Sequence, residues 1–196
     1  MKITFCGGPH SGKTAVLAEL ERRLAPGKED RVAFVREVAS EIISDGHLHP
    51  RRNPYAFQAA VLHRQLEVEK SAEVEGSLHW ILDRAVPDTY VYLPTEQAAR
   101  LLRDTMGEGA DMASVMARYD ACLFFDTYYA GRISSGNKQR VETTYEDLEA
   151  LAQRTLNVWK KHPRFLVVPS AFHTLGEKAD YVADVLNDLL KEDVFR

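Results

Sequence analysis

Gly7-Gly8-Pro9-His10-Ser11-Gly12-Lys13-Thr14 is the stretch whose residue types and spacing point most directly to chemistry. It fits G-x-x-x-x-G-K-[ST] at every fixed position, the pattern of a loop that cradles phosphate. Glycines let the backbone curl until successive N–H groups face phosphate oxygens, with Pro9, His10 and Ser11 contributing through their main chain. Lys13 can reach β- and γ-phosphates, and the Thr14 hydroxyl can ligate Mg²⁺. A helix starting at Lys13 adds the positive end of its dipole. With glycine at about 7% of residues on average, four fixed positions rarely coincide by chance. The expected ligand is a nucleotide that presents β- and γ-phosphates together with Mg²⁺.

Two further carboxylates stand where phosphate chemistry needs them. Trp80-Ile81-Leu82 runs into Asp83 and Arg84, and an acid closing an apolar strand beside a phosphate loop is placed to hold Mg²⁺. No Glu follows Asp83, which weakens the case for a hydrolytic motor, and Arg84 is either a contact to substrate or phosphate or an exposed arginine. Phe34-Val35-Arg36 leads to Glu37, which could take the proton from an attacking hydroxyl or merely favour a helix N-terminus.

Residues 127–142 carry Gly131, Arg132, Ser134, Ser135, Gly136, Lys138 and Arg140, a composition suited to a lid over phosphates. Arg132 and Arg140 are its best candidates for neutralising transferred charge, and an ordinary solvated loop is the alternative. Gln58, Gln65 and Glu69 recur on one helix face with Leu62 between them and Phe57 beside Gln58. An amide beside an aromatic could hold a nucleobase or an amide-bearing substrate; a solvent-exposed helix face explains the same residues.

The elements that must position these groups alternate along the chain. Short apolar runs at Ile3–Cys6, Val32–Val35, Trp80–Leu82, Cys122–Phe125 and Phe165–Val168 predict strands buried on both faces. Helices are expected over Lys13–Leu24, Glu37–Ser44, Pro54–Glu75, Thr95–Tyr119 with a break near Gly107–Gly109, Thr144–His162 and Leu175–Lys191. Thr143…Glu146 and Thr174…Glu177 read as capping boxes. The alternation implies an α/β fold, a parallel sheet covered by helices on both faces, with ligands at the carboxyl ends of its strands.

Composition sets the outer bounds. A chain of 196 residues, 45% apolar and 28% charged, fits a single domain over residues 1–196. With 29 acidic against 25 basic side chains, the net charge of −4 argues against a nucleic-acid coat. No apolar run is long enough for a membrane span. Cys6 and Cys122, in apolar contexts, read as buried free thiols of a cytoplasmic protein. A GTPase is disfavoured: Asn137-Lys138-Gln139-Arg140 ends in Arg where a guanine motif has Asp, and no Gly stands three residues after Asp83.

Gly7–Thr14, Val35-Arg36-Glu37-Val38-Ala39, Ala56-Phe57-Gln58 with Gln65, Leu82-Asp83-Arg84 with Pro87-Asp88-Thr89, and Asn137 with Arg140 and Glu142 follow one another in that order. In this the chain resembles small stand-alone P-loop ATPases and kinases of the AAA type, related to the ribosylnicotinamide kinase domain and, more distantly, to nucleoside and nucleotide kinases such as thymidylate kinases. The resemblance implies a P-loop NTPase three-layer α/β/α fold with strand order 2-3-1-4-5 and the Asp83 strand beside the phosphate-loop strand. It also implies ATP with Mg²⁺, phosphate and Mg²⁺ on Lys13 and Thr14, an acceptor flanked by Glu37 and Asp83-Arg84, and Arg140 in a lid. Lys138 stands where relatives would carry an acid. The function expected is a kinase acting on a small nucleoside- or nucleotide-like acceptor, the alternatives being an NTP hydrolase or a non-catalytic nucleotide-binding module.

Overall fold

The computed structural model describes residues 1–24, 27, 31–46, 48–74, 77–127, 145–191 and 194–195. Five parallel strands, β1 Lys2–Gly7, β2 Val32–Val35, β3 His79–Asp83, β4 Ala121–Phe125 and β5 Phe165–Val168, form one sheet in the order β2-β3-β1-β4-β5. This is the order that the resemblance implies. The central strand β1 and its neighbour β4 are buried along their whole length, which is why the sequence shows continuous apolar runs there.

Alternate side chains of β1 feed two layers. Ile3 and Phe5 pack with Leu123 and Phe125 against Leu17 and Leu20 of α1 (Lys13–Arg22) and Val182 and Leu186 of α8 (Leu175–Leu190). Cys6 faces the other way, with Cys122, Phe124, and Leu151 and Trp159 of α7 (Tyr145–Trp159). A third cluster joins Leu62 of α3 (Pro54–Val74) to Leu101 and Leu102 of α5 (Thr95–Met106). Cys6 and Cys122 are buried free thiols, as expected, and their sulfurs meet at 2.8 Å across adjacent strands.

The sequence and the structure part company locally. The helix expected from Glu37 starts at Ala39, so α2 (Ala39–Ser44) leaves Glu37 in the connection after β2. The break expected near Gly107–Gly109 within Thr95–Tyr119 is present: Gly107 stops α5 at φ 98° and Asp111 opens α6 (Met112–Met116) with a reciprocal Asp111–Ser114 capping box. A 3-10 turn, Val86–Asp88, and the short α4 (Thr89–Tyr92) follow β3 with no periodic signal to announce them. The Thr174–Glu177 capping box forms as expected, whereas Thr143 lies outside the described residues. Among the described residues no helix is long and apolar enough to cross a membrane.

Candidate active site

The phosphate loop leaves β1 at Gly7, where a side chain is impossible. At φ 137° a Cβ would sit 2.5 Å from the Phe125 carbonyl oxygen. Gly12 takes φ 90° as the N-cap of α1, and His10 also takes positive φ, at 60°. The loop curls around the Lys13 ammonium, which donates to the carbonyls of Gly7 and Gly8 at 2.9 Å each and to Ser11 Oγ at 3.0 Å. Burial, reinforced by nearby Arg84, pushes the Lys13 pKa down to about 8. Pro9 sits at the inner side of the loop and borders the cavity described below.

Parallel pairing sets Asp83 at the level of Phe5, next to the start of the loop. The Thr14 hydroxyl donates to Asp83 Oδ2 at 2.5 Å. Asp83 Oδ1 is buried and has no hydrogen-bond partner. Two oxygens of one carboxylate, one on the loop threonine and one unsatisfied, form a donor set that fits a hard cation such as Mg²⁺.

Glu37 and Arg84 also meet. Arg84 Nε donates to Glu37 Oε1 at 2.5 Å, its guanidinium lies 3.8 Å from Asp88 Oδ2, and it stacks 5.3 Å over the Tyr92 ring. Its backbone holds φ 80°, a conformation that a non-glycine residue adopts at an energetic cost and that clusters at functional sites. Asp88 closes the group: it is buried, and Oδ1 accepts from Trp159 Nε1 at 2.6 Å. Burial raises its pKa, with Arg84 and the Trp159 hydrogen bond opposing.

These groups line one end of a cavity of about 420 Å³. Val38, Ile43, Phe57, Leu62, Val86 and Leu151 make apolar walls, with Gln58 and Gln65 on the α3 side. The solvent-face alternative for the glutamines is overturned: Gln58, Gln65 and Glu69 are 7%, 4% and 1% exposed, because α3 turns that face inward. Arg132 and Arg140, and the lid over 127–142 beyond Thr127, lie outside the described residues.

Two contributors carried no functional signal of their own. Asp88, quoted with Pro87 and Thr89 but given no role, pairs with Arg84. Lys178, in the first turn of α8, donates to the Ser11 carbonyl at 2.9 Å and so holds the phosphate loop from outside. Among the described residues no group of three or more His, Cys, Asp or Glu could hold a metal by itself.

A family model described as an AAA domain, AAA_28, matches residues 2–172. No curated protein sequence matches the chain. Similar solved structures include the thymidylate kinase of Ehrlichia chaffeensis, with 18% identity, coverage of 95% of this chain and 98% of that one, and a TM-score of 0.61. They also include the NadR protein in complex with NAD and AMP-PNP, with 16% identity and a TM-score of 0.64. All of this chain aligns there, over 51% of that protein, so it spans about half the NadR chain. At these identities the likeness concerns the fold. With most of its length matched, the chain belongs to the AAA domain family AAA_28, built on the P-loop fold that nucleotide kinases share.

Proposed function

We propose that the chain is a phosphotransferase that moves the γ-phosphate of ATP to a small nucleoside- or nucleotide-like acceptor. The observation that carries this reading is the cavity, which begins at the phosphate loop beside Pro9, passes Glu37 and Arg84, and continues between apolar walls. A hydrolase needs room for water there; an open volume of about 420 Å³ leaves room for a second organic substrate.

In this reading ATP lies with its phosphates on Gly7–Thr14 and Lys13 on the β- and γ-phosphates. Thr14 and Asp83 would hold Mg²⁺, which supplies charge neutralisation to the phosphates when bound. Glu37 takes the acceptor hydroxyl proton, and Arg84 holds that carboxylate and faces the transferred charge. Arg132 and Arg140 supply further positive charge from a lid. Phosphoryl transfer is mostly positioning and electrostatics, and the residues gathered here are suited to both. A cytoplasmic location, where thiols such as Cys6 and Cys122 stay reduced, accords with this role.

The test is an ADP-release assay on the full chain with Mg²⁺·ATP and a panel of nucleosides and nucleoside monophosphates. Release that depends on one class of acceptor is the expected result. A rate indifferent to every acceptor would point to hydrolysis instead.

A further inference from the structure

Gln58 and Gln65 are nine-tenths or more buried, border the same cavity, and differ in what holds them. Gln65 Nε2 donates to Glu69 Oε1 at 3.0 Å. Glu69 is in turn fixed from several sides: Arg118 donates at 2.8 Å, the Tyr119 hydroxyl at 2.8 Å and Lys2 Nζ at 3.3 Å. Burial would raise the Glu69 pKa, but these donors overcome it and hold it below the ordinary value, so the group is a carboxylate and only accepts. An amide facing a carboxylate must present its nitrogen. Gln65 Oε1 therefore points away from Glu69; no described residue donates to it, and it is not among the sealed, unpartnered buried atoms. The Gln58 side-chain amide makes no hydrogen bond to any described residue, although only 7% of the residue is exposed.

The two amides sit two helical turns apart, about 10 Å along α3. Glu69 pairs with Lys2 at the start of β1, whereas the phosphate loop leaves the other end of that strand. Gln65 therefore marks the end of the cavity far from Glu37, with Gln58 between them. The cavity lining around them mixes apolar side chains such as Val61, Leu62 and Leu151 with polar ones that include Asp147 and Arg154 of α7, and a polar group buried there without a partner is heavily penalised.

We propose that this far end selects the acceptor by its hydrogen-bond donor: a neutral planar nucleobase presenting N–H or NH₂ to Gln65 Oε1, with the Gln58 amide meeting a second polar atom nearer the sugar. Glu69 is a positioning residue that makes the Gln65 contact acceptor-only. The inference rests on the cavity being the acceptor site, and it concerns binding, not transfer.

The experiment is calorimetric binding to the full chain, without ATP, of four nucleosides and their methylated counterparts that lack the base donor. The pairs are uridine with 3-methyluridine, cytidine with N4,N4-dimethylcytidine, adenosine with N6,N6-dimethyladenosine, and inosine with 1-methylinosine. At least one parent nucleoside binds, and its methylated partner binds at least about tenfold more weakly. Gln65→Met brings the two affinities of that pair together. Glu69→Gln, whose amide no longer dictates which way Gln65 faces, narrows the ratio. Failure of all four nucleosides to bind, or equal binding within the pair to the unaltered chain, overturns the proposal without relying on any variant. A nucleoside that binds with this pattern, when neither it nor its monophosphate is phosphorylated on addition of Mg²⁺·ATP, overturns the phosphotransferase reading and leaves this one standing.

Discussion

Arg84 Nε meets Glu37 Oε1 at 2.5 Å, joining the end of β3 to the connection after β2 at the mouth of the cavity. Each residue follows a strand that pairs directly with the other, so the contact comes from the sheet itself. Arg84 reaches it with its backbone at φ 80°, and Asp88 lies below the guanidinium. A carboxylate held in this way has a fixed direction, which a proton acceptor for a bound hydroxyl needs.

Replacing that carboxylate separates binding from transfer. Glu37→Gln keeps the shape and a hydrogen-bond acceptor for Arg84 but cannot take a proton. We expect kcat to fall about 10²–10⁴-fold while the ATP Kd changes little. Steady-state kinetics beside nucleotide titration measure both, and full activity in the variant would remove Glu37 from the base role.

Lys13 gives a pH signature. Its pKa in the nucleotide-free chain is about 8, against an ordinary value of 10.5. At pH 7 it is mostly charged; at pH 9 it is mostly neutral. Bound phosphate favours the ammonium, so ATP binding at pH 9 takes up a proton, approaching one per site, and affinity weakens as pH rises through 8. Calorimetry in buffers of different ionisation enthalpy reads that uptake, and Lys13→Met should abolish it. The same depression means that folding stability rises with pH between about 8 and 10.5, where the unfolded chain holds the proton and the folded chain does not.

The Thr14–Asp83 contact predicts a metal-specific defect. Asp83→Asn preserves size and can still bond Thr14, but it loses the charge that a divalent cation needs. Binding of Mg²⁺·ATP should weaken about tenfold or more, while metal-free ATP, measured in chelator, binds as well as or better than before. Equal weakening of both would place Asp83 outside the metal set.

Glu69 anchors stability. It is 1% exposed and satisfies Lys2, Arg118, Tyr119 and Gln65 together. Glu69→Ala removes the buried carboxylate that Arg118 and Lys2 share with Tyr119 and Gln65 and should cost about 3–5 kcal/mol in chemical denaturation. Because the folded pKa lies below the ordinary carboxyl value, this stabilisation is present above that value and fades as pH falls through it. The difference between wild type and Glu69→Gln should therefore shrink in acid.

Much of this was legible in the residues. The loop Gly7–Thr14 needs particular types at particular positions, and the five apolar runs needed only their length and branching to be read as parallel strands, although burial on both faces holds along β1 and β4 whereas the edge strand β5 leaves Val167 48% exposed. Placement at strand ends then brought Asp83, Arg84 and Glu37 to one edge. The glutamine face was ambiguous for a physical reason: spacings of seven and four put side chains on one side of a helix without saying whether that side meets water or protein. Gln58 and Gln65 turned out to face inward because α3 packs Leu62 against α5. The turn at Val86–Asp88 and α4 are too short to show a period, so Asp88 stood within a motif without an assigned role. Lys178 was hidden because it supports the loop from a helix far along the chain.

Phosphoryl transfer itself is the central claim, and the fate of the γ-phosphate tests it most directly. Full-length chain is supplied with Mg²⁺·ATP carrying heavy oxygen in the γ-phosphate, together with a nucleoside that binds the cavity, and the products are weighed by mass spectrometry. The account predicts the heavy phosphoryl group on the acceptor, in amounts equal to the ADP formed and lost in Glu37→Gln. Label appearing only in inorganic phosphate, at a rate the acceptor does not change, would contradict it.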